Sequence, residues 1–209
     1  VPFYRQAIEH DAFDEFWKAH GTRDRYGPIE APAYMVTGWY DNLVHEGFKL
    51  YKGWSSEARS ADARRLSKLI VGPWLHGPIG TPAPGPVDFG PDAVMDFEDE
   101  QVRWFDQRLK GIDNGMDNEP PVHIFVMGEN VWRFENEWPL ARTQYTNYYL
   151  HSDGSANTVF GDGTLSESAP TGDEPIDTYT YDPDNPVWTL GGQIMAIQMT
   201  VSGPQDRRP

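Results

Sequence analysis

The sequence predicts an α/β fold with a doubly wound, mostly parallel sheet, followed by a smaller region built of β-strands alone. Two observations predict this class. Up to about residue 143, short apolar runs alternate with segments of helical period, which is typical of parallel strands joined by helices. Beyond that point, aromatic and β-branched runs alternate with turns of Ser, Gly and Asp, without a helical period.

Helices and strands are predicted in alternation along the first region. The helical period is clear after residue 41, where Val44, Phe48 and Tyr51 recur at i, i+4 and i+7. The last helix begins with acidic residues and ends with Arg108 and Lys110, in agreement with the helix macrodipole. The predicted helices are 11–20, a segment after residue 41, and 94–109; the predicted strands are 33–37, 66–71, 122–128, 145–151 and 177–181.

A loop rich in proline and glycine covers 77–91, because so many of these residues exclude regular structure. The change of character near residue 143 divides the chain into domains at 1–143 and 144–209. The segment 203–209 is rich in turn residues and closes no element, and the chain begins without methionine. We therefore interpret both ends as cut.

Composition excludes several classes of protein. The net charge of −15 would repel phosphate backbones, so nucleic acid is not an expected partner. No apolar run approaches the length of a membrane span, and the lack of a charged, apolar leader favours a cytoplasmic location while leaving the compartment open. The absence of cysteine excludes disulfides and thiolate metal sites. An acidic, lysine-poor surface suits high salt, with an ordinary acidic protein as the alternative.

Two short motifs place an acid and a histidine directly after consecutive predicted strands. Gly-Trp-Tyr-Asp ends at Asp41, and Gly-Pro-Trp-Leu-His-Gly contains His76. In a Ser-His-Asp site the acid accepts a hydrogen bond from the imidazole, fixes its tautomer and stabilises the imidazolium. Strand ends with tight turns supply the rigid support that both groups need. On spacing alone the alternative is that Asp41 caps the following helix.

A nucleophile for this pair is not recognisable in the sequence. No Gly-x-Ser-x-Gly elbow occurs, and the serines nearest in sequence lack its context. Ser55 and Ser56 follow a glycine and a tryptophan but lie on the predicted helix, and Ser60 and Ser67 have no elbow either. We interpret these four as surface or capping residues.

Eight further motifs occur in one order with these two. They are Arg-Asp-Arg-Tyr-Gly at 23–27, Trp-Phe-Asp and Leu-Lys-Gly within 104–111, Phe-Val-Met-Gly-Glu-Asn-Val-Trp-Arg at 125–133, Glu-Trp-Pro-Leu-Ala at 137–141, Tyr-Tyr-Leu at 148–150, Tyr-Asp-Pro at 181–183, Asn-Pro-Val at 185–187 and Leu-Gly-Gly at 190–192. Together the ten closely resemble the cocaine esterase and Xaa-Pro dipeptidyl-peptidase family, which includes the α-amino acid ester hydrolases. The resemblance runs from about Phe13 to Pro209.

The resemblance implies part of an α/β-hydrolase domain with a helical cap, followed by an incomplete jelly-roll domain. Residues 1–20 would be the end of the cap. In this family the acid of the first motif and the histidine of the second belong to the catalytic triad, so Asp41 and His76 inherit those roles. The serine elbow and the tyrosine of the oxyanion hole precede the cap in such enzymes, and so would lie outside this chain.

The same resemblance points to candidate substrate-binding residues. Leu43 occupies a position near the acyl pocket in such enzymes, and Trp39 and Trp74 flank the acid and the base. The tryptophans are also candidate core residues. No metal or organic cofactor is implied, and the expected substrate is a small ester or a short peptide.

The leading hypothesis is therefore a serine hydrolase, of esterase or Xaa-Pro dipeptidyl-peptidase type, represented by its acid and base and inactive alone. The rival is a non-catalytic α/β remnant with a β-sandwich ligand-binding module. A third hypothesis is that the chain complements a separate nucleophile-bearing chain. Ester, Xaa-Pro peptide and amide substrates all remain open.

Other polar groups favour structural roles. The scattered histidines lack metal-ligand spacing, and surface or capping roles are expected for them. The segment 182–186 is interpreted as a turn rather than a calcium loop, and the acidic residues of 96–100 as a solvated helix start. The histidines concerned are His10, His20, His45, His123 and His151.

Overall fold

Within the residues that the structure describes, four strands form one sheet in the order β1-β2-β3-β4. The computed structural model describes residues 2–22, 24–77, 79–82, 87–158 and 160–184. The strands are β1 (Tyr34–Gly38), β2 (Lys68–Gly72), β3 (Val122–Val126) and β4 (Val131–Glu135). β1, β2 and β3 are parallel, and β4 returns antiparallel to β3. The carboxyl ends of β1 and β2 therefore lie at the same edge of the sheet.

The central strand β2 is buried along its whole length. It pairs with β1 from Tyr34↔Lys68 to Gly38↔Gly72, and with β3 on its other side. A strand with neighbours on both sides and cover on both faces has no reason to alternate polar and apolar residues, which explains its continuous Leu-Ile-Val run.

Helices connect the parallel strands. α3 and α4 lie between β1 and β2 in the chain, and α5 lies between β2 and β3. The described helices are α1 (Pro2–Glu9), α2 (Glu15–His20), α3 (Val44–Glu57), α4 (Ala61–Leu66) and α5 (Phe97–Lys110). Among them, none has the length and apolar composition that crossing a membrane requires.

Side chains and a glycine set the ends of two of these helices. Ser60 Oγ accepts the Ala63 amide at 2.9 Å and begins α4, and the Asp96 carboxylate accepts the Asp99 amide at 3.0 Å and begins α5. Gly111 ends α5 in the left-handed conformation, with a φ of 69°. Each contact satisfies a backbone group that the helix itself leaves free.

The main core lies between the sheet and α3. Buried residues of three strands and of α3 form it, and Trp39, Phe48 and Trp138 pack against it from the side. Burial raises the pKa of Tyr51 to about 12. The buried members are Met35, Val44, Tyr51, Leu69, Val71, Val122 and Ile124.

A charged network lies at the amino end of the parallel strands. Lys68 Nζ donates to the Glu119 carbonyl at 3.2 Å, and burial lowers the pKa of Lys68. Arg103 on α5 joins the Glu100 and Glu119 carboxylates at 2.8 and 2.6 Å. The Tyr34 hydroxyl donates to Glu100 at 2.9 Å. The network therefore ties α5 to the start of β1 and β2, away from the carboxyl edge.

The structure confirms an α/β fold and corrects several element bounds. The predicted helix 11–20 begins only at Glu15, because Asp14 accepts the Phe16 amide at 2.9 Å and caps it. Leu66 ends α4 instead of opening a strand. β4 was not predicted. It follows β3 directly through a tight turn, in which Gly128 and Asn130 have φ values of 93° and 56°.

The β-rich region differs more from its prediction. Among described residues, it holds a two-stranded antiparallel sheet of β5 (Tyr149–His151) and β6 (Thr164–Ser166). The predicted strand 177–181 has no strand geometry. A jelly roll therefore stays a prediction. The motifs at 185–187 and 190–192, the segment 203–209 and Trp188 lie outside the described residues.

His151 on β5 holds the segment 168–174 against this small sheet. Its Nδ1 lies 2.6 Å from Glu174 Oε1, and its Nε2 lies 2.9 Å from the Ser168 carbonyl oxygen. A ring with both nitrogens facing oxygens satisfies both only when it carries two protons. The hydrogen bond with Glu174 raises the pKa of His151 and, in return, lowers the pKa of Glu174.

We predict that this contact is strongest in a window of pH. The raised pKa of His151 means that its stabilisation is complete below the ordinary value of 6.5 and is lost as pH rises through the folded value. The lowered pKa of Glu174 means that its share is present above 4.5 and is lost as pH falls through the folded value. Backbone NMR relaxation of 168–174 should therefore show an ordered segment near pH 6 and greater motion near pH 9.

The matched control for that measurement is the exposed His45 on α3. His151→Gln should remove the pH response of 168–174, and His45→Gln should leave it unchanged. A segment that is equally ordered at both pH values in the unaltered chain would show that the protonated ring does not hold it.

Candidate active site

The first motif forms a tight turn directly after β1. The Asp41 amide donates to the Gly38 carbonyl at 3.0 Å, and the Val44 amide at the start of α3 donates to the Asp41 carbonyl at 3.1 Å. Backbone hydrogen bonds therefore connect the strand, the turn and the helix directly. Asp41 is therefore fixed at the carboxyl end of β1, with its side chain 11% exposed.

The second motif continues the pairing of β1 and β2 beyond the strand ends. The Trp39 amide donates to the Gly72 carbonyl at 2.9 Å, and the Tyr40 amide donates to the Trp74 carbonyl at 3.0 Å. These two bonds hold the loop after β2 against the turn after β1. They bring His76 next to Asp41.

Nδ1 of His76 lies 3.1 Å from Oδ1 of Asp41. The same Oδ1 accepts the Leu43 amide at 2.7 Å. A carboxylate oxygen fixed by a backbone N–H and facing Nδ1 favours the tautomer that is protonated there. The His76 side chain is 41% exposed, and its Nε2 has no hydrogen-bond partner among the described residues. The pair therefore combines a shielded acid with a base that is open to a proton donor.

Asp41 does not occupy the cap position of α3. Leu43 is the N-cap, and it makes no side-chain capping bond. The Asp41 carboxylate instead accepts the Leu43 amide two residues on, as in an Asx turn. It thus stabilises the turn and contacts His76 through one oxygen.

The three candidate substrate-binding residues differ in exposure. Trp39 packs on the main core and donates its indole N–H to the Phe125 carbonyl at 2.7 Å. Leu43 is 46% exposed beside Asp41, where a ligand can reach it. Trp74 has no exposed surface. A wholly buried side chain shapes a site without touching a ligand, so the geometry favours a packing role for Trp74, while Trp39 is half-buried against the core.

Phe89 supports the site and was missed in the sequence. It lies in the Pro/Gly-rich loop, where its amide donates to the Pro82 carbonyl at 2.9 Å. Its ring packs on Phe125, and against Tyr40 at 6.2 Å between centroids. Its packing role could have been predicted from the presence of a large aromatic residue in a segment otherwise rich in proline and glycine. The loop after His76 is thus anchored beside the turn that carries Asp41.

The serines set aside on sequence grounds all have local structural bonds. Ser55 and Ser56 donate to the Lys52 carbonyl at 3.2 and 2.6 Å, as helix serines commonly do. Ser60 caps α4, and Ser67 donates to the Ala63 carbonyl at 2.6 Å. The structure brings none of these four to His76.

The remaining histidines have contacts with residues other than Asp41 and His76. His10 contacts Asp14, His20 bonds the Phe16 carbonyl at 2.7 Å, and His45 lies 3.6 Å from Glu46. His123 is half-buried instead of lying on the surface, because its ring stacks on Phe134 with 4.0 Å between ring centroids, and burial lowers its pKa to about 4. Across the described ranges, no group of three or more His, Asp or Glu side chains is arranged to hold a metal ion.

Models of two families match parts of the chain. The sequence model of X-Pro dipeptidyl-peptidase (S15 family) matches residues 1–78, and that of the X-Pro dipeptidyl-peptidase C-terminal non-catalytic domain matches residues 114–204. The chain is 38% identical over 207 residues to cocaine esterase from Rhodococcus sp. (strain MB1 Bresler), which covers 98% of this chain and 34% of that protein. The chain belongs to the X-Pro dipeptidyl-peptidase and cocaine esterase family of hydrolases.

Two solved structures share the fold. An aminopeptidase from the marine sediment archaeon Thaumarchaeota archaeon superposes with a TM-score of 0.69 at 25% identity, over 90% of this chain and 29% of that one. A CocE/NonD family hydrolase from Staphylococcus aureus gives 0.52 at 20% identity, over 79% and 26% of the two chains. The chain spans about a third of the length of the cocaine esterase that it matches.

The match to the non-catalytic domain begins before the predicted boundary. It starts at residue 114, whereas the sequence was divided at 143 and 144. β3 and β4 lie between residue 114 and the predicted boundary, and β3 pairs with β2 in the four-stranded sheet. The boundary at 143 stays a prediction. It keeps all four strands of the sheet in the first domain, which is the physical argument for it.

We predict that Asp41 stabilises its turn through an acceptor oxygen more than through charge. Asp41→Asn keeps an oxygen for the Leu43 amide and should cost less than about 0.5 kcal/mol of unfolding free energy. Asp41→Ala leaves that amide unpaired and should cost about 1–2 kcal/mol. Urea unfolding of both variants measures the difference. Equal losses would show that the carboxylate charge holds the turn.

Proposed function

We propose that this chain supplies the acid and base of a serine hydrolase that works through an acyl-enzyme. The contact between His76 Nδ1 and Asp41 Oδ1, at the carboxyl ends of neighbouring parallel strands, carries the proposal. The match to a family of hydrolases supports it. The serine and the oxyanion donors would come from polypeptide outside this chain.

Each step follows from the orientation of the imidazole. Because its Nδ1–H donates to Asp41, His76 presents the lone pair of Nε2 to the serine hydroxyl. His76 removes the hydroxyl proton as the serine oxygen attacks the substrate carbonyl. The imidazolium then donates that proton to the leaving alcohol or amine. Water then attacks the acyl carbonyl while His76 takes its proton. The bond between the acyl group and the serine oxygen breaks, His76 returns the proton to that oxygen, and the acid product leaves.

Asp41 supports this cycle electrostatically. Its carboxylate is shielded from water and held by the Leu43 amide, so it stabilises the imidazolium without having to rotate into place. The candidate substrates are esters and short peptides with a compact acyl group. Leu43 is the candidate contact with that group, because it is exposed next to the acid.

The sheet offers a place for the missing polypeptide. Among the described strands, β1 has a neighbour on one side only. A groove between β1 and α5 exposes apolar side chains, including Val36, Phe97 and Phe105. An unpaired strand edge next to apolar surface is where a further strand adds backbone hydrogen bonds. We therefore place the nucleophile-bearing segment on this side of β1.

A second candidate function is ligand binding without turnover. A groove in the β-rich region is lined by Leu150, Thr164, Leu165, Glu174 and Pro175, within the part that matches the non-catalytic domain. This alternative predicts binding of a small ligand or sugar that is unaffected by substitution of His76. Ester and peptide turnover separates the two candidates.

We predict that hydrolysis by the complete open reading frame depends on both residues. His76→Ala should lower kcat for p-nitrophenyl esters or Xaa-Pro p-nitroanilides by about 10⁴-fold or more, and Asp41→Asn by about 10⁴-fold, since the wrong tautomer then predominates. The 209-residue chain alone should show no turnover above the buffer rate.

The matched control is the exposed histidine of α3. His45→Ala should change kcat by less than about twofold, since His45 is exposed and contacts Glu46 but neither Asp41 nor His76. A His76→Ala enzyme with the activity of the His45→Ala enzyme would refute the proposed base.

A further inference from the structure

Trp74 belongs to the loop that carries His76 and contacts the turn that carries Asp41. Its indole is fully buried and packs on Gly72, where an added Cβ would lie 2.3 Å from the ring. Its carbonyl oxygen accepts the Tyr40 amide at 3.0 Å and would lie 2.2 Å from a Cβ added to Gly38. One residue thus contacts the ends of both β1 and β2.

The indole is also held from the far side. Trp132 on β4 packs against it, with 5.6 Å between ring centroids. The indole N–H of Trp74 has no hydrogen-bond partner among the described residues. Its position is therefore fixed by packing alone, and close packing leaves a buried ring little freedom to turn.

The contacts of Trp74 act next to each reacting side chain. Tyr40, whose amide it accepts, precedes Asp41 directly, and Trp74 itself stands two residues before His76. A displacement of the Trp74 backbone would move both loops relative to each other. A hydrogen bond of 3.1 Å does not survive a shift of an ångström or more.

We propose that Trp74 is a positioning residue, which sets the separation of Asp41 and His76 and thereby the tautomer of His76. The inference rests on the proposed function for its catalytic meaning. It assigns Trp74 a role beneath the site instead of in the substrate pocket. Gly38 and Gly72 belong to the same device, because only glycine leaves room for the Trp74 carbonyl and ring.

The test reads the tautomer of His76 in the 209-residue chain, without any need for turnover. Nitrogen-15 NMR at alkaline pH distinguishes neutral rings protonated at Nδ1 from those protonated at Nε2. The unaltered chain should hold His76 mainly as the Nδ1–H form. Trp74→Phe removes ring volume but no hydrogen bond of the indole, and should lower the Nδ1–H fraction by about half or more.

Two matched controls separate positioning from a general loss of stability. Trp104→Phe alters another buried indole, on α5, and should leave the His76 tautomer unchanged. Gly38→Ala should disturb it, whereas Gly27→Ala should not, because a Cβ at Gly27 meets nothing within 4 Å. Equal tautomer fractions in Trp74→Phe and Trp104→Phe would overturn the inference.

Amide exchange in the unaltered chain provides a test that needs no variant. The Tyr40 amide, bound to the Trp74 carbonyl, should exchange within about tenfold of the Lys68 amide, which donates to Ala33 at 2.9 Å in the same strand pair. Exchange of Tyr40 at the rate of a free turn amide would show that Trp74 holds nothing. Either result is independent of whether His76→Ala abolishes hydrolysis, so the inference and the proposed function can fail separately.

Discussion

The parallel register of β1 and β2 is the constraint on which the site depends. Gly38 pairs with Gly72, so the turn after one strand and the loop after the other start at the same level. A slip of one residue would shift one loop by about 3.3 Å and turn the side chains of that strand to the opposite face. Burial of β2 on both faces makes such a slip costly, and the bonds to Gly72 and Trp74 extend the same register into the loops.

The two ends of the strand pair divide stability and chemistry between them. At the amino end, Lys68, Arg103 and Glu119 form a network in which every charge has a partner, so the ion pairs hold α5 against the sheet. At the carboxyl end, Asp41 has the Leu43 amide and His76, and Nε2 is left open among the described residues. Because the His76 side chain is 41% exposed, its Nε2 can be reached by a proton donor, which is what the proposed base requires.

The sequence predicted that Asp41 and His76 follow consecutive strands, and the structure brings their side chains to 3.1 Å from each other. That placement follows from the local order of strand, tight turn and polar residue, whereas the catalytic roles come from the family resemblance and stay a proposal. The other features depend on contacts between segments. β4 forms by pairing with β3, Trp74 is buried against Trp132, and His123 is covered by Phe134 across the hairpin. A local sequence pattern does not reveal such contacts, so these features could not be predicted from it.

The short separation between acid and base has a consequence for how this site is assembled in time. Asp41 and His76 are only 35 positions apart in the chain, and α3 and α4 occupy most of the residues between them. Closing such a loop costs little entropy, and each doubling of its length would add about 0.6 kcal/mol. Contacts of low sequence separation also form early in folding. Under the proposed function, the base would be in place before the nucleophile arrives, and docking of the nucleophile-bearing segment would set when the enzyme becomes active.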